Sequence, residues 1–419
     1  MIKYLIFFLL ISNPAYAYLD PGTGSLILYF IMGLFATVIF YFKWIIYKIR
    51  EFLIGNSSKI KIKNSDKIDV LFYSEGGQYW NVFKPIIEEL EKKQIESVYY
   101  TNKKNDPATS SNYKYLKVEC IGDDISSFVI LNNIKAKLFI TTTPQLNVMQ
   151  LKKSKYVDEY IHIVHSPTDC LYYRYFAFDF FDTIMCSGNH QIESIRELEH
   201  IRKTKKKELL QTGLTYFDIL KESKDKFQPN KKKQDKKIVL VAPTWRKDNL
   251  LEKYGINLFK KLVNLNYDVI LRPHPQIYIS NREKFEKFES DLDKYNEIKI
   301  DKDSSAEESM IKADVMISDL SGIIFDFYFV YEKPVISMNS NIPIFGQEAE
   351  LVSKKPWETE NLEKVATIFN SNNLDDIEKY LSRALEKTTI NNLEKFREES
   401  LFNYGNAGEV AANQIIQKI

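Results

Sequence analysis

The 419-residue sequence is short of cysteine, glycine and proline: three, 14 and 13 respectively. The three thiols, Cys120, Cys170 and Cys186, match no zinc-ligand spacing and leave one unpaired in any disulfide scheme. That argues against a stapled fold or a structural zinc, and suits a reducing compartment. So little glycine and proline, beside 44% hydrophobic residues, excludes collagenous and wholly disordered chains. An excess of one charge is lacking too. Against 58 Lys and Arg stand 56 Asp and Glu, for a net charge of +2. A chain that coats nucleic acid carries a strongly basic domain, so no nucleic-acid partner is expected. GxSxG, HExxH and CxxC are absent, and the glycines of Asp20-Pro21-Gly22-Thr23-Gly24-Ser25 lack the lysine of a phosphate-binding loop. No carboxylate cluster suited to Mg²⁺ stands out, so neither a metal nor a cofactor is expected.

The N-terminus carries membrane signals. Residues 1–17 combine Lys3, an apolar stretch from Tyr4 to Ile11 and the small-residue ending Ala15-Tyr16-Ala17, the layout of a secretory signal with its cleavage site. From Pro21 to Phe42 there is no charged residue, about the length a helix needs to cross the hydrocarbon core. A transmembrane helix is therefore predicted over 21–47. Lys43, Lys48, Arg50, Lys59, Lys61 and Lys63 follow it and only Asp20 precedes it closely, so the positive-inside rule assigns everything after residue 43 to the cytoplasm. Tyr41, Trp44 and Tyr47 stand where an interfacial aromatic belt belongs. The alternative, a two-helix hairpin over 1–47 with an uncleaved first segment, leaves the body on the same side.

The remaining chain is long enough for two domains. Residues 221–237, KESKDKFQPNKKKQDKK, form a charge run without apolar periodicity, read as a solvated linker or, alternatively, a basic patch for anionic lipid. It separates a first domain over 66–220 from a second over 238–400, followed by a C-terminal helix over 401–419. Predicted strands lie at 68–74, 95–100, 137–142, 160–164 and 182–186, with helices at 78–93, 124–133 and 189–209. Beyond the linker, strands are predicted at 238–242, 267–271, 314–318 and 334–337, with helices at 249–265, 281–291, 304–312 and 321–331. This alternation implies an α/β protein whose two parallel sheets, covered by helices on both faces, face each other. The tail from residue 361 reads as helices that pack back across both domains.

In open parallel sheets ligands bind beyond the C-terminal strand ends, which directs attention to the residues just after each strand. IVLVA runs into Pro243-Thr244-Trp245-Arg246, where Arg246 suits a phosphate through its planar fork or is simply an exposed arginine beside a core tryptophan. The next strand ends in Arg272-Pro273-His274-Pro275, whose two prolines preorganise His274 for a ligand oxygen or for a plain turn. Then come Ser318-Asp319-Leu320-Ser321-Gly322, with Ser321 as an N-cap and Gly322 opening a helix whose free N–H groups attract anions. Asp326, one turn on, is either a buried polar partner or a surface charge. In the first domain a strand ends in His165-Ser166-Pro167-Thr168-Asp169. A histidine there is a natural general base, its alternative being a turn histidine bonded to backbone. His162, three residues earlier, points to the opposite face and reads as structural. Asp169 either orients His165 or lies on the surface.

Together, His165-Ser-Pro, APTWR at 242–246, RPHP at 272–275, and SDLSG at 318–322 followed by a Phe-Asp helix and Lys333-Pro334-Val335 resemble the CDP-glycerol glycerophosphotransferase family, the teichoic-acid primases and polymerases. Gln211-Thr212-Gly213-Leu214 resembles the family's glycine-containing turn at the end of its first domain. The resemblance covers roughly 68–345. It implies the GT-B architecture, two Rossmann-like domains facing across a cleft, with nucleotide on the second and acceptor on the first. His165 then corresponds to the catalytic histidine, and Arg246, Arg272, His274, Ser318, Asp319, Ser321 and Gly322 to the donor cradle. Two positions depart from the family's pattern: Ser166 stands where the family has glycine, and Gly322 where it has a second serine.

The implied function is transfer of glycerol phosphate, or a related polyol phosphate, from a CDP-linked donor to a hydroxyl of a lipid-linked or cell-surface glycan. The N-terminal signals, unlike the family's usual peripheral association, point to the bacterial inner (cytoplasmic) membrane, single-pass, with the catalytic body in the cytoplasm. The alternatives are a GT-B glycosyltransferase using a nucleotide sugar and a noncatalytic nucleotide-binding membrane protein.

Overall fold

The structure, a computed structural model, describes residues 67–419 except 124, 228–235, 247, 281, 304, 340–345 and 387–391, together with 34, 37, 38, 41, 42 and 45. The chain divides into two units, 1–63 and 64–419. In the first, the six described residues are helical, and Leu34, Val38, Tyr41 and Phe42 are exposed. The predicted signal segment 1–17 and most of the predicted spanning helix 21–47 lie outside the described residues. Among the described residues no helix is long and apolar enough to cross a membrane.

The second unit holds two parallel sheets. One contains β1 (Ile68–Ser74), β2 (Ser97–Thr101), β3 (Leu116–Cys120), β4 (Ala136–Thr141), β5 (Val157–Ile163), β6 (Thr183–Cys186) and β7 (Glu208–Gln211), in the order β3-β2-β1-β4-β5-β6-β7. The other contains β8 (Ile238–Ala242), β9 (Asp268–Leu271), β10 (Ile298–Ile300), β11 (Val315–Asp319), β12 (Val335–Asn339) and β13 (Thr367–Ile368), in the order β10-β9-β8-β11-β12-β13. Each order has the Rossmann form, with a switch point between β1 and β4 in one sheet and between β8 and β11 in the other. The central strands are apolar on both faces, as parallel strands under two helical layers must be: all five residues of β8 are buried, and so are the last five of β1.

The strands missing from the sequence prediction are β3, β7, β10 and β13, all at or beside sheet edges. None has a fully buried residue, so none carries an apolar run. The helix predicted over 189–209 ends at Arg202, because Lys203 turns left-handed and residues 208–211 join the sheet. The helix Thr215–Lys226 runs into the predicted linker, supported by Lys221–Asp225 and Glu222–Lys226 pairs one turn apart.

Several buried contacts fix one domain on the other. Arg202 bonds both oxygens of Glu348, and its Nη1 also reaches Asp179 at 2.7 Å. His190 stacks on Trp357 with ring centroids 4.4 Å apart. The chain then returns to the first domain. Helix Ala407–Ile416 lies against Trp80–Lys92 and Thr215–Lys226, and Asp218 caps it by accepting from Ala407 N and Gly408 N. Gly213 is required at this crossing: its φ is +94°, and a Cβ would meet the Phe402 carbonyl oxygen at 2.3 Å.

Candidate active site

The second domain's site grows from its switch point. Ser318, at the end of β11, donates its hydroxyl to the Ala242 carbonyl of β8 at 2.6 Å. The neighbouring Asp319 carboxylate accepts from Thr244 N at 3.0 Å and Leu250 N at 2.9 Å. Asp319 is 2% exposed, and burial pushes its pKa up to about 7. Asp319 thus ties the 243–250 segment to the sheet from beneath, and Ser318 pins the strand end from which it leaves. Asn249 completes the tie: its oxygen caps helix Leu250–Asn264, and its amide donates to the Arg246 carbonyl at 2.8 Å.

Arg246 is thereby held with its guanidinium 5.2 Å from the centroid of the Tyr172 ring, from the other domain, and with Nη1 buried and unpartnered. Burial lowers its pKa. An unmet charged donor costs about 1–3 kcal/mol or more, which an anion would relieve. Arg272 Nη1 donates to Asp301 Oδ2 at 2.7 Å and Nη2 to the Asp303 carbonyl at 3.0 Å. His274 Nδ1 accepts from Gln276 N at 3.1 Å, which puts the neutral ring's proton on Nε2. Ser321 stands in extended backbone at the N-cap of helix Gly322–Asp326 and makes no side-chain capping bond.

The first domain supplies His165, just beyond β5. Tyr79 meets its ring edge-on at 5.0 Å and Tyr173 at 6.2 Å. Its Nδ1 is buried without a partner, and burial lowers its pKa to about 4, so the ring is neutral at physiological pH. The loop that carries it is clamped by Gln191, whose amide donates to the carbonyls of Ser166 at 3.1 Å and Thr168 at 2.8 Å while its oxygen accepts from Ser187 N at 2.7 Å. Asp169 is buried and turned toward the second domain, where its Oδ2 accepts from Trp357 N at 3.1 Å. His162 is fully buried between the rings of Phe178 and Phe181, and that burial pushes its pKa well down.

A cavity of about 580 Å³ joins the two halves. His165, Arg246, Arg272, His274, Ser321 and Gly322 all line it, whereas Ser318 and Asp319 do not. The lining also includes residues that the strand-end reading passed over: Thr168, Tyr172, Tyr216 and Trp245. Trp245, a core residue in one of the two readings of its block, is 38% exposed, with its ring 6.3 Å from that of His274. Tyr216 donates its hydroxyl to Asp326 Oδ1 at 2.6 Å across the cleft, so Asp326 is a polar partner rather than a surface charge. Burial pushes Asp326 up to about 7. Among the described residues no group of three His, Cys, Asp or Glu could hold a metal ion.

The sequence profile of the CDP-Glycerol:Poly(glycerophosphate) glycerophosphotransferase family matches residues 58–355. The chain belongs to this family. Among its curated relatives, a teichoic acid glycerol-phosphate transferase of Staphylococcus aureus is 24% identical over 122 residues, 27% of this chain and 29% of that protein. A teichoic acid poly(glycerol phosphate) polymerase of Bacillus spizizenii is 23% identical over 290 residues, 62% of this chain and 70% of that protein. The first of these matches thus spans under a third of the relative's length. Among solved structures, the wall teichoic acid polymerase TagF superposes with a TM-score of 0.59 at 17% identity, covering 92% of this chain and 97% of that one. A Methanocaldococcus jannaschii UDP-GlcNAc 2-epimerase follows with a TM-score of 0.55 at 13% identity, covering 84% and 100%. Both likenesses concern the fold.

For a glycerophosphotransferase-family chain, the cavity's two sides differ usefully in chemistry. The second domain offers guanidinium groups and an open hydroxyl, a chemistry suited to an anion. The first offers a neutral imidazole, a chemistry suited to accepting a proton. The two meet at the switch point of the second sheet, where the segments after β8 and β11 both reach the cavity.

Proposed function

We propose that the protein transfers glycerol phosphate, or a related polyol phosphate, from a CDP-linked donor to a hydroxyl of a lipid-linked or cell-surface glycan. The observation that carries this reading is the single cavity lined by His165 from one domain and by Arg246, Arg272, His274, Ser321 and Gly322 from the other. The acceptor oxygen attacks the phosphorus that bears the polyol, and the bond from that phosphorus to the CMP oxygen breaks. His165 takes the hydroxyl proton, and CMP leaves with the bonding pair. Such a transfer asks the protein mainly for positioning and for positive charge around the phosphoryl oxygens. Arg246 and Arg272 supply that charge. Asp319 acts one step back, by holding the loop that presents Arg246, while Ser318 pins the end of β8 before that loop. Membrane attachment is part of the proposal. The uncharged stretch from Pro21 to Phe42 and the basic residues after it support a single-pass anchor in the bacterial inner membrane with a cytoplasmic body.

Incubating the protein with CDP-glycerol labelled at the β-phosphate and a teichoic-acid-type acceptor tests the reaction. The expected result is label on the acceptor and free CMP. Sugar transfer from a nucleotide sugar, with no label moved from CDP-glycerol, would instead identify a glycosyltransferase. Nucleotide binding without turnover would identify a noncatalytic protein.

A further inference from the structure

Gly322 lines the cavity, and its φ lies outside the left-handed region, so its backbone does not demand glycine. A Cβ built there would stand 2.9 Å from Ser166 Oγ, the movable end of a side chain, and outside Gly322's own helix backbone and chain neighbours no other described heavy atom lies within 4 Å of that position. The gap left by the missing side chain of the second domain is therefore filled by a hydroxyl from the first.

That hydroxyl is preorganised. Ser166 Oγ is 2.7 Å from Thr168 Oγ1 and accepts from Thr168 N at 3.3 Å, while Gln191 holds the carbonyls of both residues. When Thr168 donates its hydroxyl proton to Ser166, both acceptor positions of Ser166 Oγ are in use, and its own O–H remains for a ligand. Ser166 and Thr168 both line the cavity that holds the unpartnered Arg246 Nη1, and Ser166 adjoins His165 in the chain.

We propose that Ser166 is a donor-binding residue, whose hydroxyl reaches through the gap at Gly322 and donates to a non-bridging phosphate oxygen of the nucleoside-diphosphate-linked donor. This rests on the reaction proposed above. The contact comes from the histidine's domain and is made to a ligand of the other, so it forms only with the two domains together. Its strength belongs to the state in which His165 also faces the donor.

A double-mutant cycle tests it. Ser166→Ala removes the hydroxyl, and Gly322→Ala displaces it by putting a Cβ in its place. Each is expected to lower kcat/KM for CDP-glycerol about 10-fold to 100-fold, the range of a hydrogen bond to a charged group, with an unchanged melting temperature. The double variant is expected to lose no more than Ser166→Ala alone, because no hydroxyl is left to displace. Wild-type activity in Ser166→Ala, multiplicative losses in the double variant, or a loss explained by a lower melting temperature would overturn the proposal. A wild-type protein that moves no label would sink the reaction instead. The same cycle read as CDP-glycerol affinity by calorimetry would still decide the Ser166 contact, with additive changes counting against it.

Discussion

The backbone N–H of Asp169 donates to Glu358 Oε2 across the domain boundary at 3.0 Å, joining the loop that carries His165 to the start of helix Trp357–Val365. Glu358 is 2% exposed. Burial first, and the nearby Asp169 second, push its pKa from 4.5 to about 8. Between those values the folded protein holds a proton that the unfolded chain has released, so this group's contribution to stability is lost as pH rises toward 8. Glu358→Gln keeps an oxygen acceptor and has no proton to release. Urea unfolding at pH 5, 6.5 and 8 should show the variant gaining on the wild type as pH rises, by on the order of a few kcal/mol in all. A difference that stays constant over that range would mean that Glu358 is ionised in its site.

For His165 the direction is opposite. Burial lowers its pKa to about 4, so the neutral, proton-accepting form persists well below pH 6.5. In nucleotide-free protein, an NMR titration of this ring should find no protonation at pH 5.5. The acid limb of kcat/KM should likewise fall near pH 4 to 5, whereas the limb of kcat should lie higher, because a bound diphosphate favours the imidazolium. His165→Asn should cost about 10²-fold to 10⁴-fold in turnover while leaving donor affinity intact. A ring that titrates near 6.5 would show it to be solvated and the cavity to be open there.

What the sequence made legible follows from how much of each signal is local. IVLVA at 238–242 was bounded correctly at both ends because a fully buried central strand is a continuous apolar run between Lys237 and Pro243. LKVEC at 116–120 was not, because an edge strand with every residue at least partly exposed shows no such run. The strand-end blocks stood out for the same reason, since turn chemistry directly after a buried strand is visible in one dimension. Which way Ser318 and Asp319 point was not, because their partners, Ala242, Thr244 and Leu250, belong to a strand and loop some seventy residues away. Tyr172 and Tyr216 reach the cavity only through the packing of one domain on the other, and no spacing in the sequence records that.

Gln191 shows how the histidine loop is held. It is 1% exposed and makes three hydrogen bonds to backbone, two of them to the residues flanking Pro167. Gln191→Ala would leave those groups unmatched and release the loop, at a cost of about 1–3 kcal/mol in stability. Turnover should fall and donor KM should rise, because the released loop carries both His165 and the Ser166 hydroxyl proposed to meet the donor. Gln191→Glu keeps the acceptor for Ser187 N and loses both donors, so it should resemble Ala in turnover. Full activity in both variants would show that the loop needs no such clamp.

The donor side separates residues that line the cavity from those that support its wall. Ser318→Ala deletes a buried hydroxyl bonded only to the Ala242 carbonyl, and should cost about 1 kcal/mol in stability with kcat/KM unchanged. Asp319→Asn replaces one of two backbone acceptors with an amide donor, so the 243–250 loop should loosen and donor KM should rise along with a loss of stability. Arg272→Ala differs from both. It removes positive charge at the cavity itself and should lower kcat/KM about 10²-fold to 10³-fold. Lysine at 272 should not restore it, since Asp301 and the Asp303 carbonyl orient a planar fork through two separate nitrogens. Measuring melting temperature and kcat/KM together on these variants decides the matter: Ser318→Ala should move only the first, Asp319→Asn both, and Arg272→Ala should lose far more turnover than its loss of the Asp301 pair explains through stability. If Ser318→Ala lost turnover at full stability, the serine would face the ligand and the division between lining and support would be wrong.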